Sequence, residues 1–150
     1  MTESLDLLAQ AEAALRRVAL VDRSTLSDDE LIAHLKLEES VGRFIDTSRV
    51  LTAGEVAERS RYELGAAGLS MRLSERKSVN FIEQVTRTSH AEASRRVRVG
   101  LAVRPRQSML GEVVPPERPI VAEALRHGAI GVDTAATILC SLQPAAGGPR

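Results

Sequence analysis

Aromatic residues and cysteine are scarce in this chain of 150 residues. It has no tryptophan, one tyrosine and two phenylalanines, so leucine, valine, isoleucine and alanine must build its core. That composition is typical of helical proteins. The single cysteine, Cys140, excludes an internal disulfide and a zinc site made of several thiolates. Because Cys140 lies in an apolar run, we expect its thiol to be buried in the core.

Long apolar runs are also missing. No window approaches the roughly 18 consecutive apolar residues of a membrane span. The chain starts with Met-Thr-Glu-Ser-Leu-Asp, which is acidic where a signal peptide would be basic. We therefore expect a cytoplasmic protein without membrane association.

Residue groups that carry catalysis are absent as well. The three histidines are isolated from one another, and the adjacent pairs Asp28-Asp29 and Glu38-Glu39 point about 100° apart on a helix. No phosphate-binding glycine loop and no nucleophile elbow occurs. The residues alone therefore indicate a chain with no catalytic residue, no metal, no cofactor and no evident small-molecule substrate.

Charge is unevenly distributed, although the formal net charge of the chain is zero. Residues 72–106, here called the basic segment, contain nine basic and three acidic side chains, a net charge of +6. Residues 1–71 contain eight basic and thirteen acidic side chains, a net charge of −5. A strongly basic segment within a neutral chain indicates a local surface for an anionic partner or pairing with the acidic first half.

Helical spacing of apolar residues extends over most of the chain. It predicts a first helix from Ser4 to about Val21. Ser27 and Glu30 have the spacing of a capping box, which predicts that a second helix begins at Asp28. That helix can continue to about Ala66, because apolar positions step by four and three residues and no proline interrupts them. These positions are Leu37, Val41, Phe44, Ser48 and Leu51.

A helix this long needs a partner for its apolar residues. It can form the spine on which the other helices pack, or it can pair with a second copy of itself. The sequence leaves both alternatives open, so a homodimer through the long helix is one of our hypotheses.

Four shorter elements are predicted after the long helix. We expect Ser74 to cap a third helix ending near Thr86, and Ser89 to cap a fourth with Glu92 in the capping-box position. A proline-rich extended loop follows, then helices at 120–127 and from about 133 to 142. No strand pattern occurs. The prediction is an all-α fold of about six helices, with an N-terminal helix in residues 1–26, a helical domain in 27–142 and a disordered tail in 143–150.

The third and fourth helices resemble a helix-turn-helix pair. Ala93, Val97 and Leu101 share one face of the fourth helix, with arginines on the broadly opposite face that could contact double-stranded DNA. However, valines lie among those arginines, so a packed central helix with outward-reaching or ion-paired arginines is the alternative. The candidate nucleic-acid-binding residues are Arg87, Arg95, Arg96, Arg98, Arg104 and Arg106.

Four motifs occur in an order that resembles a known family. They are Glu58-Arg-Ser-Arg-Tyr-Glu-Leu-Gly65, Thr88-Ser-His-Ala-Glu-Ala-Ser-Arg-Arg-Val-Arg-Val-Gly100, Pro119-Ile-Val-Ala-Glu-Ala-Leu-Arg-His-Gly128 and Ile130-Gly-Val-Asp-Thr-Ala-Ala-Thr-Ile138. From about Ser27 to Leu142 the chain resembles DUF family 222. This is a helical domain of unknown function that commonly precedes an HNH endonuclease module in actinobacterial proteins.

The resemblance implies a non-catalytic accessory or DNA-associated domain. No position matches the nuclease motif, so no catalytic residue is carried over, and we expect a stand-alone or truncated relative of HNH-endonuclease proteins. Because relatives carry the nuclease module, the resemblance leaves the question of enzymatic activity open. The alternative function is a dimerisation or protein-interaction module that binds no nucleic acid.

Overall fold

A computed structural model describes residues 2–108 and 111–142, which form six α-helices, three short 3₁₀ segments and one short pair of strands. The predicted all-α class with one long helix is confirmed. None of the helices in the described ranges is long and apolar enough to cross a membrane. The elements are α1 (Glu3–Ala19), α2 (Asp28–Glu58), α3 (Ser78–Thr86), α4 (His90–Val103), β1 (Arg106–Gln107), β2 (Val113–Val114), α5 (Pro119–Arg126) and α6 (Val132–Ser141).

The chain divides into two compact units, with the boundary after Glu38 inside α2. The first unit contains α1, a 3₁₀ turn at Arg23–Thr25 and the beginning of α2. The second unit contains the remainder of α2 and all later elements. The predicted tail at 143–150 lies outside the described residues.

The start of α2 agrees with its sequence signal. The Ser27 hydroxyl accepts a hydrogen bond from the Glu30 backbone N–H at 3.3 Å, and the Glu30 carboxylate accepts one from the Ser27 N–H at 2.8 Å. Two backbone donors that the helix cannot satisfy are thereby paired. The prediction that α2 begins at Asp28 is confirmed.

The predicted end of α2 near Ala66 is wrong, because the helix stops at Glu58. Two 3₁₀ segments follow, and the chain folds back on the helix end. The Leu69 N–H donates to the Arg59 carbonyl at 2.7 Å, and the Ser70 N–H donates to the Ser60 hydroxyl at 3.1 Å. These hydrogen bonds replace those of a continued helix.

Helix α3 begins later than predicted. Ser74 does not cap it but lies in the left-handed conformation at the end of a 3₁₀ segment, with φ of 58°. Lys77 precedes the first helical residue, Ser78. The tight turn to α4 is present as predicted, with Arg87 also left-handed, and the Ser89 hydroxyl accepts from the Glu92 N–H at 3.2 Å.

The proline-rich loop after α4 contains a feature that the sequence did not predict. β1 and β2 pair antiparallel, with Arg106 opposite Val114. Strands of two residues are too short to give an alternating pattern, which is why no strand was expected. Helix α5 begins at Pro119, one residue before the predicted start at residue 120, and α6 begins one residue before the predicted Asp133.

The buried face of α2 differs from the predicted apolar stripe. Thr47, Val50 and Ala53 are buried, whereas Val41 and Phe44 are exposed. Small residues allow α2 to approach the neighbouring helices closely, so burial follows their positions rather than those of the largest apolar side chains.

Two clusters of buried residues form the core of the second unit. The first joins Val50 of α2 to α4, α5 and α6. The second joins Ala53 and Ala57 of α2 to α3 and α4. The expectation that Cys140 is a core thiol is wrong, because Cys140 is exposed. On α6 the neighbouring Leu139 faces the core, and adjacent helical residues point about 100° apart.

Candidate nucleic-acid interface

Helix α4, which carries half of the predicted DNA-contacting arginines, is the central helix of the second unit. Val99 and Val103 belong to the first core cluster, and Ala93 and Val97 belong to the second. Burial on two sides leaves a narrow outward face, on which Arg98 is the basic residue. The pair α3 and α4 therefore has helix-turn-helix order, but α4 packs as a core helix.

Two of the predicted arginines share one carboxylate. Nε of Arg96 donates to Oε1 of Glu92 at 2.8 Å, and the Arg95 guanidinium contacts both Glu92 and Asp133. The Arg96 side chain is 15% exposed. These contacts hold α4 to the start of α6 and place both arginines in intramolecular ion pairs.

The contacts with Arg95 and Arg96 lower the pKa of Glu92. Burial acts to raise the pKa, but the hydrogen bond from Arg96 and the charge of Arg95 outweigh it and hold the pKa below its ordinary value. The carboxylate is engaged by charged donors, which form stronger hydrogen bonds than a neutral backbone N–H. Of the two hydrogen bonds of the predicted capping box, only the one from the Glu92 N–H to the Ser89 hydroxyl is therefore present.

Arg104 is a third arginine held within the fold. Its guanidinium lies 3.0 Å from Oε2 of Glu55 and 2.6 Å from Oε2 of Glu58, and its side chain is 16% exposed. These two ion pairs connect the end of α4 to the end of α2. A hydrogen bond from Arg59, together with the charge of Arg104, lowers the pKa of Glu55.

The other three predicted arginines have a different environment. Arg87 lies in the turn before α4, Arg98 lies on the outward face of α4, and Arg106 lies in β1. All three are exposed, and none forms an ion pair with a described carboxylate.

The same environment surrounds three further cations of the basic segment that were not singled out from the sequence. Arg72, Arg76 and Lys77 precede α3, are exposed, and have no ion-pair partner in the described ranges. In the sequence, these three residues contributed to the net charge of the basic segment, and nothing else marked them as candidates. The basic segment thus contains six exposed cations without a described ion-pair partner, and three that are paired internally.

A cleft of about 530 Å³ lies beside this network, between α2 and the start of α6. Two arginines, Arg43 and Arg95, line it together with the carboxylates of Glu39, Asp46 and Asp133. The carboxylates outnumber the guanidinium groups, so the cleft is not suited to an anion. Among the described residues, no group of three or more histidine, cysteine, aspartate or glutamate side chains could hold a metal ion.

Comparison with known families identifies the second unit. The model of a domain of unknown function, DUF222, matches residues 39–145, most of the chain. The chain belongs to the DUF222 family. The resemblance inferred from its motifs is thereby confirmed. A search of the curated proteins and a search of the solved structures each found no match.

The DUF222 match begins at Glu39, the residue where the second structural unit also begins. All nine cations of the basic segment therefore lie in the DUF222 domain. Helix α1 and the beginning of α2 precede it.

Proposed function

We propose that the DUF222 domain of this chain is a non-catalytic module that binds duplex DNA through the phosphate backbone. One observation carries the proposal. The basic segment has six exposed cations without a described ion-pair partner: Arg72, Arg76, Lys77, Arg87, Arg98 and Arg106. Cations that are not neutralised within the fold are available to displace the counterions of DNA.

Three of these cations lie at the two ends of α3. Arg76 and Lys77 immediately precede the helix, and Arg87 immediately follows it. A helix of nine residues is about 14 Å long, so the two groups can contact different phosphates. Contacts of this kind position a protein on DNA without reading its sequence.

The internally paired arginines have another role in this proposal. Arg95, Arg96 and Arg104 would have to break ion pairs with Glu92, Glu55 or Glu58 before meeting phosphate. Breaking a partly buried pair leaves a carboxylate uncompensated. We therefore assign these three arginines to the stability of the α4 region and the exposed set to DNA.

This function suits an accessory domain of an HNH-endonuclease-type protein. A module that holds the phosphate backbone without sequence preference would supply DNA to a neighbouring nuclease module. Cutting chemistry would belong to that module, since the described part of this chain presents no cluster of metal ligands.

Binding of the chain to a short duplex of random sequence, followed by fluorescence anisotropy at several salt concentrations, tests the proposal. Six phosphate contacts predict that log K falls against log salt with a slope of about −5. Replacing Arg87, Arg98 and Arg106 by alanine should make that slope shallower by about three units.

A matched control removes the same charge elsewhere. Lys36, Arg49 and Arg126 are exposed and lie outside the basic segment, and their replacement by alanine should change the slope by less than about one unit. Affinity that is independent of salt, or equal losses in the two triple variants, would overturn the proposal.

A further inference from the structure

Tyr62, the only tyrosine of the chain, projects from the surface of the DUF222 domain. The residue is 96% exposed, and its hydroxyl forms no hydrogen bond with any described residue. Aromatic side chains usually bury a large part of their surface, and the hydroxyl of a buried tyrosine usually has a partner. The ring of Tyr62 therefore contributes nothing to the described core and is free to contact a ligand.

The backbone that carries this ring is held in place. Tyr62 begins the first of the two 3₁₀ segments that follow α2, Tyr62–Ala67. Immediately after this segment, the Leu69 N–H donates to the Arg59 carbonyl at 2.7 Å and ties the chain back to the helix end. An aromatic side chain on an anchored backbone loses little conformational freedom when it binds, which favours affinity.

The elements next to Tyr62 carry exposed cations of the basic segment. The first 3₁₀ segment contacts the second, Leu69–Leu73, and the second contacts α3. Arg72 lies in the second segment, and Arg76 and Lys77 lie between that segment and the first residue of α3. Tyr62 is thus at one end of a series of contacting elements that carries three of the six cations assigned to DNA.

An aromatic ring beside phosphate-binding cations is a combination by which proteins hold single-stranded nucleic acid. The ring stacks on the face of a base, while the cations contact the backbone. Within a duplex both faces of a base are covered by neighbouring base pairs, so the ring can stack only where a base is unpaired. The exposed carboxylate of Glu63, next to Tyr62, repels phosphate. The position of the ring therefore suits an uncharged base better than the backbone.

We propose that Tyr62 stacks on an unpaired base where the duplex held by the exposed cations borders a single strand. The ligand is then DNA with a junction between paired and unpaired nucleotides. Because the inference rests on the proposed function, the cations supply most of the affinity and Tyr62 adds recognition of the junction. Stacking needs only the face of a base, so no sequence preference is expected.

Fluorescence anisotropy with two DNAs tests the proposal. Both contain the same duplex and a single-stranded overhang of the same length, made of thymidine in one and of abasic sites in the other, so they differ in bases but not in phosphates. The thymidine overhang should bind about tenfold more tightly. Tyr62→Ala should remove this preference, whereas Tyr62→Phe, which keeps the ring, should retain it.

The intrinsic fluorescence of the chain gives a second readout. Tyr62 is its only tyrosine, and tryptophan is absent, so tyrosine emission reports on this position alone. Stacking on a base should quench the emission when the thymidine overhang binds. The abasic overhang should leave the emission unchanged at the same occupancy.

Ile120→Ala is the matched control variant. Ile120 is 82% exposed and lies outside the basic segment, so its loss should not alter the preference for the thymidine overhang. Urea unfolding of Tyr62→Ala should match that of the parent chain, because the ring is unpacked.

Blunt duplex separates this inference from the proposed function. Tyr62→Ala should bind blunt duplex with the affinity and salt dependence of the parent chain, since the phosphate contacts are intact. Equal affinity of the parent chain for the two overhangs, or a preference that survives Tyr62→Ala, overturns the stacking inference. Blunt-duplex affinity that is independent of salt overturns the DNA-binding proposal instead.

Discussion

Gly54 of α2 and Gly100 of α4 lie in direct backbone contact. A Cβ atom placed on Gly54 would be 2.6 Å from the carbonyl carbon of Gly100, and one placed on Gly100 would overlap the carbonyl oxygen of Val50. Both neighbouring atoms belong to helix backbone and cannot rotate away. The absence of a side chain at these two positions therefore determines how closely the central helix packs against the long helix.

Gly100→Ala should destabilise the domain by about 3 kcal/mol, because the new methyl group forces α2 and α4 apart. Urea denaturation of the variant and the parent chain measures the difference. Gly42→Ala is the control, since a Cβ atom placed on Gly42 would have no neighbouring atom within 4 Å. That change should stabilise the protein by about 0.5–1 kcal/mol through helix propensity. Equal effects at the two positions would contradict the close-packing explanation.

Thr47→Val should lower the free energy of unfolding by about 1 kcal/mol. The buried Thr47 hydroxyl shares its one proton between the Arg43 carbonyl oxygen of its own helix at 2.8 Å and the Leu125 carbonyl oxygen at 3.1 Å, and the second contact joins α2 to α5. Thr137→Val removes an exposed hydroxyl that bonds only within its own helix, and its effect should stay within about 0.5 kcal/mol. Thermal or urea unfolding measures the free energy of unfolding of both variants. A Thr47 variant as stable as the parent would argue against a stabilising hydrogen bond between α2 and α5.

Glu92→Gln should reduce the acid sensitivity of the domain. The pKa of Glu92 is lowered in the folded state, so its contribution is complete above the ordinary value of 4.5 and is lost as pH falls through the folded value. The variant should be less stable than the parent at neutral pH by about 1–2 kcal/mol, and this difference should shrink as the solution is acidified.

Urea unfolding between neutral pH and about pH 3 measures this dependence. Glu63→Gln is the control, because Glu63 is exposed and forms no ion pair with any described side chain. Its pH profile should follow that of the parent chain. A Glu92 variant whose deficit is the same at every pH would rule out the ion-pair explanation.

Cys140 should react with a thiol reagent in the native protein. Its exposure predicts labelling of about one thiol per chain without denaturant, at a rate within about tenfold of that of the unfolded chain. Ser141 and Leu142, which follow it, are also exposed. A thiol that reacts only after unfolding would show that this end of α6 is covered in solution.

Much of the helical order could be predicted from short stretches of sequence. The capping pairs at Ser27 and Ser89 mark helix starts through contacts within four residues, and both starts were predicted correctly. Near Pro119 the predicted start at residue 120 was one residue late. The end of α2 was not, because Leu69 and Ser70 fold back onto Arg59 and Ser60. No residue within α2 indicates that the chain folds back onto the end of the helix.

The candidate interface could be predicted only as a charged segment. The sequence shows nine cations between positions 72 and 106, but Arg104 meets Glu55 and Glu58 almost fifty positions away, and Arg95 meets Asp133 on α6. Such pairs depend on how distant helices pack. Sequence counting therefore overstated the number of free arginines on α4 and passed over Arg72, Arg76 and Lys77.

The sequence by itself determined the helical class, the starts of the capped helices, the family and the basic character of one segment, since these depend on composition and local spacing. Tertiary structure alone decided which face of α2 is buried, that α4 is central, and which arginines remain exposed. The physical reason is that burial and ion pairing require contacts between residues far apart in the chain, such as Gly54 with Gly100. Local sequence patterns determine where a helix forms, but they do not determine which helices pack against it.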